Sequence, residues 1–269
     1  MPDFEKNYYE AQGFWGNGML EDADNLKRFE FTMSLIPPEV QSIADVGCGN
    51  GVFVNTLQIK KNHIEIVGID RSLKALEYVQ TKKVQGNIIK LPFDNNRFDC
   101  VTCLEVLEHL SIEDYEKALD ELTRVAGKYV IISVPFNEKL EEAHTQCPAC
   151  KSIFNYEMHL RNFNETAFVH LLDDYGFENR TFTKLNKTSK FIGHFRYRKL
   201  FYPEQLLKWR SPVCPLCGFK QKPTEVASPL KLIMKKRKMI SYISSFPKMF
   251  WPKEYSYYWI IGLFEKVNP

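Results

Sequence analysis

Residues 42–51 read Ser-Ile-Ala-Asp-Val-Gly-Cys-Gly-Asn-Gly, a short apolar run that closes on alternate glycines and then opens onto a helix-compatible stretch. Glycine alone takes left-handed backbone angles at little cost, so Gly47, Gly49 and Gly51 specify a tight turn with bare backbone facing outward. A turn of this kind needs a strand behind it and a helix ahead. The remaining sequence is consistent with that, because from Ser42 onward short apolar runs alternate with longer helical patterns, which predicts a parallel sheet with crossover helices. Predicted strands cover 42–46, 65–70, 83–87, 98–103, 129–134, 179–185 and 257–264. Predicted helices cover 25–35, ended by Pro37-Pro38, and 72–80, 112–125 and 165–175. The expected class is α/β, a doubly wound and mostly parallel seven-stranded sheet. The 269 residues are 44% hydrophobic and 26% charged with 13 Gly and 14 Pro, which excludes disordered and collagen-like chains.

Three further elements follow the glycine turn in order. Asp70 ends the second predicted strand, at the position from which a carboxylate accepts hydrogen bonds from both hydroxyls of a ribose. Gly86-Asn87-Ile88 sets a side-chain amide at the end of the next strand, and Phe98 to His109 carries a strand into Glu105-Val106-Leu107-Glu108-His109. In this order and spacing the chain resembles the S-adenosylmethionine-dependent methyltransferases of the seven-stranded, Rossmann-like class, in particular the type 11, ubiquinone-biosynthesis-like group. The resemblance is tight over 42–134. It implies that Asp45, Gly47, Gly49 and Gly51 line the methionine and ribose part of the cofactor. It implies also that Asp70 and Arg71 face the ribose, that Asn87 and Ile88 face the adenine, and that Glu105 borders the same site. The spacing Gly-x-Gly-x-Gly lacks the wider Gly-x-Gly-x-x-Gly step that suits a dinucleotide's pyrophosphate.

Methyl transfer is an in-line displacement that asks for alignment and, with a hydroxyl acceptor, removal of a proton. The candidate bases are Glu105, His109 and His159. His109 could equally be a packing or capping residue, and Glu105 a helix-entry carboxylate.

Seven cysteines are too few for a disulfide scaffold. Cys48, Cys100 and Cys103 sit in apolar or Gly-rich surroundings and read as small buried side chains. Cys147-Pro-Ala-Cys150 and Cys214-Pro-Leu-Cys217 are both Cys-Pro-x-Cys, and two such knuckles fit one tetrahedral, structural Zn²⁺. A redox pair would instead sit at a helix start in a thioredoxin-like setting. The expected domains are a methyltransferase unit over 1–189 and 254–269, and a basic aromatic insertion over 190–253. With 136–160, the insertion forms a zinc-stapled lid over the acceptor pocket.

The net charge of +3 averages unlike parts, because 190–253 holds 15 Lys or Arg against Glu204 and Glu225 alone. An anionic partner is expected for this segment, either a small-molecule or lipid-linked acceptor or an anionic membrane surface met by an amphipathic helix over 230–251. Nucleic acid is the alternative. No apolar run approaches about 20 residues and the start lacks a signal-like stretch, so the expected location is cytoplasmic, with peripheral membrane contact. Methylation of oxygen or nitrogen on an anionic or lipid-linked small molecule or sugar is the leading expectation. Two rivals stand beside it. Glu105-x-x-Glu108-His109 with His159 is similar to the metal-binding set of small-RNA 3′-terminal 2′-O-methyltransferases, and a non-catalytic cofactor-binding scaffold would carry the same glycines.

Overall fold

The structure is a computed structural model that describes residues 15, 23–191, 214–219 and 253–267. The basic segment 190–253 and the helix expected over 230–251 therefore lie outside the described residues, apart from 190–191, 214–219 and 253.

Helix α1 (Ala23–Ser34) precedes β1 (Ser42–Val46), α2 (Val52–Lys60), β2 (Glu65–Asp70), α3 (Leu73–Leu76), β3 (Lys82–Gln85) and β4 (Phe98–Leu104). Then come α4 (Ile112–Val125), β5 (Ala126–Pro135), the short hairpin β6 (His144–Gln146) and β7 (Ile153–Asn155), α5 (Glu165–Val169) and β8 (Phe177–Leu185). Strands β9 (Thr188–Phe191), β10 (Lys253–Ser256) and β11 (Trp259–Lys266) complete the described chain. The central sheet has seven strands in the order β3-β2-β1-β4-β5-β11-β8. Strands β1 to β5 pair in parallel, and β11 runs antiparallel to both β5 and β8. The expected doubly wound sheet is present, and β1 and β2 have the bounds expected from the sequence.

Both faces of the sheet are covered, which is why its central strands are buried along most of their length. On one face Phe29 and Met33 of α1 and Val54 and Leu57 of α2 join Ile43, Ile66 and Ile131. On the other, Leu119 and Leu122 of α4 and Phe168 of α5 join Val101, Ile132 and Phe264. Helix α4 matches its expected 112–125 span. Ser111 caps it by accepting from the Asp114 N–H at 3.2 Å, and Glu113 and Asp114 complement its first turn.

Two expected helices are shorter than their sequence pattern. Over 72–80 only Leu73–Leu76 is helical, because the following backbone groups bond elsewhere. The Lys83 ammonium donates to the carbonyls of Leu76 and Val79, and the Asn55 amide bonds the Tyr78 carbonyl and the Gln80 N–H. The expected 165–175 helix divides into α5 and a 3₁₀ turn over Asp173–Tyr175, which ends at left-handed Gly176 (φ 75°).

Asp45 of β1 lies beside Thr102 of β4, whose hydroxyl donates to it at 2.6 Å. Burial is the main cause that raises Asp45 from 3.8 to about 7. The unfolded chain releases this proton near its ordinary value, whereas the folded chain holds it to about 7, so its contribution to stability falls as pH rises across that window. Asp45→Asn keeps the shape without the ionisation. Thermal unfolding should show the variant gaining on the native chain as pH rises from about 4 to about 7.5; a difference in Tm that does not change with pH would contradict the assignment.

Candidate active site

A cavity of about 330 Å³ opens at the carboxyl ends of β1, β2 and β4. This is the edge at which parallel α/β sheets receive ligands. Its wall includes Asp45, Gly47, Gly49, Asp70, Arg71, Asn87, Ile88, Glu105 and His109, so eight of the nine expected cofactor-facing residues and one expected base share one cavity. Gly51, the ninth, stands just behind it at the start of α2.

The turn that builds the wall depends on its glycines. Gly47 has φ 79°, and a Cβ there would sit 2.4 Å from Cγ2 of Val106. Gly51 has φ 77°, and its added Cβ would meet the Val79 side chain at 2.8 Å. The N–H groups of Gly47 and Cys48 donate to the Ile69 carbonyl at 2.8 and 3.0 Å, tying the turn to the end of β2. Asp70 completes the tie. Its carboxylate accepts from the Gly49 N–H on one oxygen and from the Ser72 N–H on the other, both at 2.8 Å. Beyond β3, the Asn87 side-chain oxygen accepts from the Ile89 N–H at 3.3 Å, which shapes the turn that presents Ile88.

Glu105 takes a different position from a free base. It is left-handed (φ 59°) at the end of β4. Its carboxylate accepts from the Ser133 hydroxyl and the Trp259 indole, each at 2.7 Å, and lies 3.3 Å from the Arg28 guanidinium. With these three partners it stands outside the group that Glu108 and His109 form with His159. Those two instead meet His159, with ligating atoms of the three within 4.8 Å of one another. The His109 and His159 rings are edge to face with centroids 4.9 Å apart. Burial first, and the neighbouring His159 second, lower His109 from 6.5 to about 3, so it stays uncharged at neutral pH. Glu108 is fully buried, neither of its oxygens has a hydrogen-bond partner among the described residues, and burial raises it well above the carboxylate range. Glu138 accepts from His159 Nδ1 at 2.5 Å and Glu157 lies 3.9 Å from the same atom.

Arg28, Trp15, Glu138 and Glu157 are site residues without a sequence motif. Arg28 had one legible sign, a cation on the buried stripe of α1 with Phe29, Thr32 and Met33.

The two cysteine pairs, about 70 residues apart in sequence, converge on one point. Cys147 and Cys217 sulfurs are 3.7 Å apart and Cys150 and Cys214 sulfurs 3.8 Å, with all four within 4.8 Å of one another. A tetrahedron with Zn–S bonds of about 2.3 Å has edges of about 3.8 Å. The separations far exceed a disulfide's S–S bond of about 2.05 Å. The knuckles also share one backbone pattern: Lys151 and Gly218, both left-handed, donate to the carbonyls of Cys147 and Cys214. The four thiols fit a structural Zn²⁺ in number, spacing and chemistry. Cys48, Cys100 and Cys103 are buried single thiols, as expected.

The pattern of the methyltransferase domain family matches residues 44–132, which supply most of the cavity wall. An uncharacterised protein of Methanocaldococcus jannaschii is 34% identical over 122 residues, covering 44% of this chain and 48% of that protein. A ubiquinone biosynthesis O-methyltransferase of Albidiferax ferrireducens is 30% identical over 97 residues, covering 32% of this chain and 38% of that one. The chain thus spans about half or less of the length of these curated relatives. The crystal structure of an S-adenosylmethionine-dependent methyltransferase from Archaeoglobus fulgidus superposes with a TM-score of 0.54 at 14% identity, over 93% of this chain and 97% of that one. Glycine turn, Asp70 bridge and sheet order agree with these likenesses: residues 44–132 match the methyltransferase domain family, and the seven-stranded sheet is of the Rossmann-like fold that the solved methyltransferase structures share.

Proposed function

We propose that the chain transfers a methyl group from S-adenosylmethionine to an oxygen or nitrogen of an anionic or lipid-linked small molecule, sugar intermediates included. The observation that carries this reading is the Asp70 bridge, which sets a carboxylate at the wall of the cavity with lone pairs left for ribose hydroxyls. The cofactor supplies a methyl carbon on a sulfonium, and alignment with proton removal falls to the protein. Bare backbone at Gly47 and Gly49 admits the ligand closely. Ile88 and the Asn87 turn form the adenine side. Of the candidate bases, proton uptake is assigned to His159, whose ring Glu138 orients, whereas burial keeps His109 uncharged.

The acceptor class rests on the relative's printed name, a ubiquinone biosynthesis O-methyltransferase, and on the basic charge of 190–253. The 136–160 insertion reaches the cavity at Glu157 and carries the first knuckle, which supports its reading as half of a zinc-stapled lid. No described helix is long and apolar enough to cross a membrane, and peripheral contact through the basic segment is part of the same proposal.

Incubation with S-adenosylmethionine and phosphorylated sugars, polyprenyl phosphates or short RNAs should yield S-adenosylhomocysteine with one of the first two classes. Asp70→Ala should weaken cofactor binding by at least about tenfold, and unchanged affinity would refute the site. A non-catalytic scaffold would bind the cofactor and show no turnover with any acceptor. Elemental analysis should find one zinc per chain, lost in Cys150→Ser, while Cys147→Ser keeps cofactor affinity within about threefold. A chain that folds and binds acceptor equally well without metal would remove the lid role.

One observation favours a second reading, metal-assisted methylation of RNA. The orphaned Glu108 carboxylate beside His109 and His159 is a set that would hold a divalent cation, with Glu138 near His159 where Glu105 was expected. In this reading turnover on RNA requires Mn²⁺ or Mg²⁺ and falls at least about 100-fold in Glu108→Ala. Full activity in a chelator of hard cations discards it.

A further inference from the structure

Between β3 and β4 the chain runs from Gly86 to Arg97 without a helix or strand, yet its first part is cavity wall, through Gly86, Asn87, Ile88 and Ile89. A wall built on a loop has no ladder to hold it, so its backbone groups need other partners. One end is tied to β2, where the Gly86 N–H donates to the Asp70 carbonyl at 3.0 Å. Residues 87–90 then close a turn, the Lys90 N–H donating to the Asn87 carbonyl at 2.9 Å. The turn couples the position of Ile88 to that of Leu91, the residue that follows it.

Leu91 is gripped from α4. Glu121 and Arg124, about one helical turn apart, are paired through two hydrogen bonds, Nε to Oε1 at 2.6 Å and Nη2 to Oε2 at 2.8 Å. Glu121 also accepts from the Leu91 N–H at 2.5 Å. Arg124 donates to the carbonyls of Leu91 and Phe93 at 3.2 and 2.7 Å and to the Asn95 side-chain oxygen at 3.0 Å. All the N–H donors of the guanidinium are thereby engaged, on Glu121 and on the loop. Leu91 is thus held by both its backbone groups, and its side chain is buried in the core cluster that also contains Ile88. The wall between Asp70 and the turn is fixed at both ends, by β2 on one side and by the α4 pair on the other. A lysine ammonium at 124 would lack the planar fork that reaches these acceptors together.

We propose that Glu121 and Arg124 are positioning residues for base selection: through Leu91 they hold the 87–90 turn at the distance from Asp70 at which the cavity admits adenine and rejects a base with a carbonyl in place of its amino group. This rests on the reading of the cavity as a cofactor site. Neither residue lines the cavity, and the pair acts through the loop.

Calorimetry with two ligands tests it. S-inosylhomocysteine differs from S-adenosylhomocysteine by a ring carbonyl where adenine has its amino group. A site built around one hydrogen-bonding group rejects the analogue that lacks it, and the native chain should prefer S-adenosylhomocysteine at least about tenfold. Arg124→Gln should weaken S-adenosylhomocysteine at least about tenfold and leave S-inosylhomocysteine within about threefold, so that the preference collapses. Arg124→Lys should not restore it. Glu121→Gln should act in the same direction and speed hydrogen exchange at the Leu91 amide, and it covers the case in which the arginine variants do not fold. A native chain without preference, or a preference retained in the folded variants, with affinity for both ligands unchanged or reduced alike, would overturn the assignment. Absence of binding of either ligand by the native chain would instead overturn the cofactor site itself.

Discussion

The bridge from Asp70 to the Gly49 and Ser72 N–H groups is the contact on which the site depends. It joins the turn after β1 to the end of β2, and with the Ile69 carbonyl it holds three consecutive N–H groups of the turn in place. A buried carboxylate is tolerated here because it is hydrogen-bonded by backbone donors that offset its desolvation, although burial still raises it from its ordinary value. The left-handed glycines, the approach of Val106 and Val79, and the placing of α2 all follow from that turn.

Around this bridge the charged groups sort by environment. Asp45 and Glu108 are pushed toward neutrality by burial, Glu105 is kept beside a cation, and His159 is oriented by Glu138. Carboxylates at the cavity wall and next to it thus stand in unlike environments without differing in residue type, the condition under which neighbouring acids can divide binding from proton handling. The residues that bring His159 to His109 come from the insertion after β5, where the Leu160 N–H donates to the Glu108 carbonyl at 2.8 Å. The same insertion carries Cys147 and Cys150, so a metal at the knuckles would brace the segment that carries His159.

Much of this was legible in the sequence because it is local. The strand bounds of β1 and β2, the whole of α4, the glycine turn, Asp70 and the pairing of two Cys-Pro-x-Cys knuckles each follow from a pattern spanning a few residues. What escaped depends on partners distant in sequence. The helix expected over 72–80 stops at Leu76 because Asn55 and Lys83 take its next backbone groups. Glu105 was expected as a candidate base, yet Trp259, 154 residues later, and Arg28 of α1 hold its carboxylate. No local pattern records either contact, and the same holds for Glu138, 21 residues before His159, which meets it only through the folding of the insertion.

The account stands or falls on the identity of the ligand that the Asp70 wall receives. Equilibrium titration of the native chain with S-adenosylhomocysteine measures this without any knowledge of the acceptor. The account predicts saturable binding of one molecule per chain, in competition with S-adenosylmethionine and abolished or strongly weakened when Asp70 is replaced by Ala. Absence of saturable binding, or binding that Asp70→Ala leaves unchanged, would contradict it.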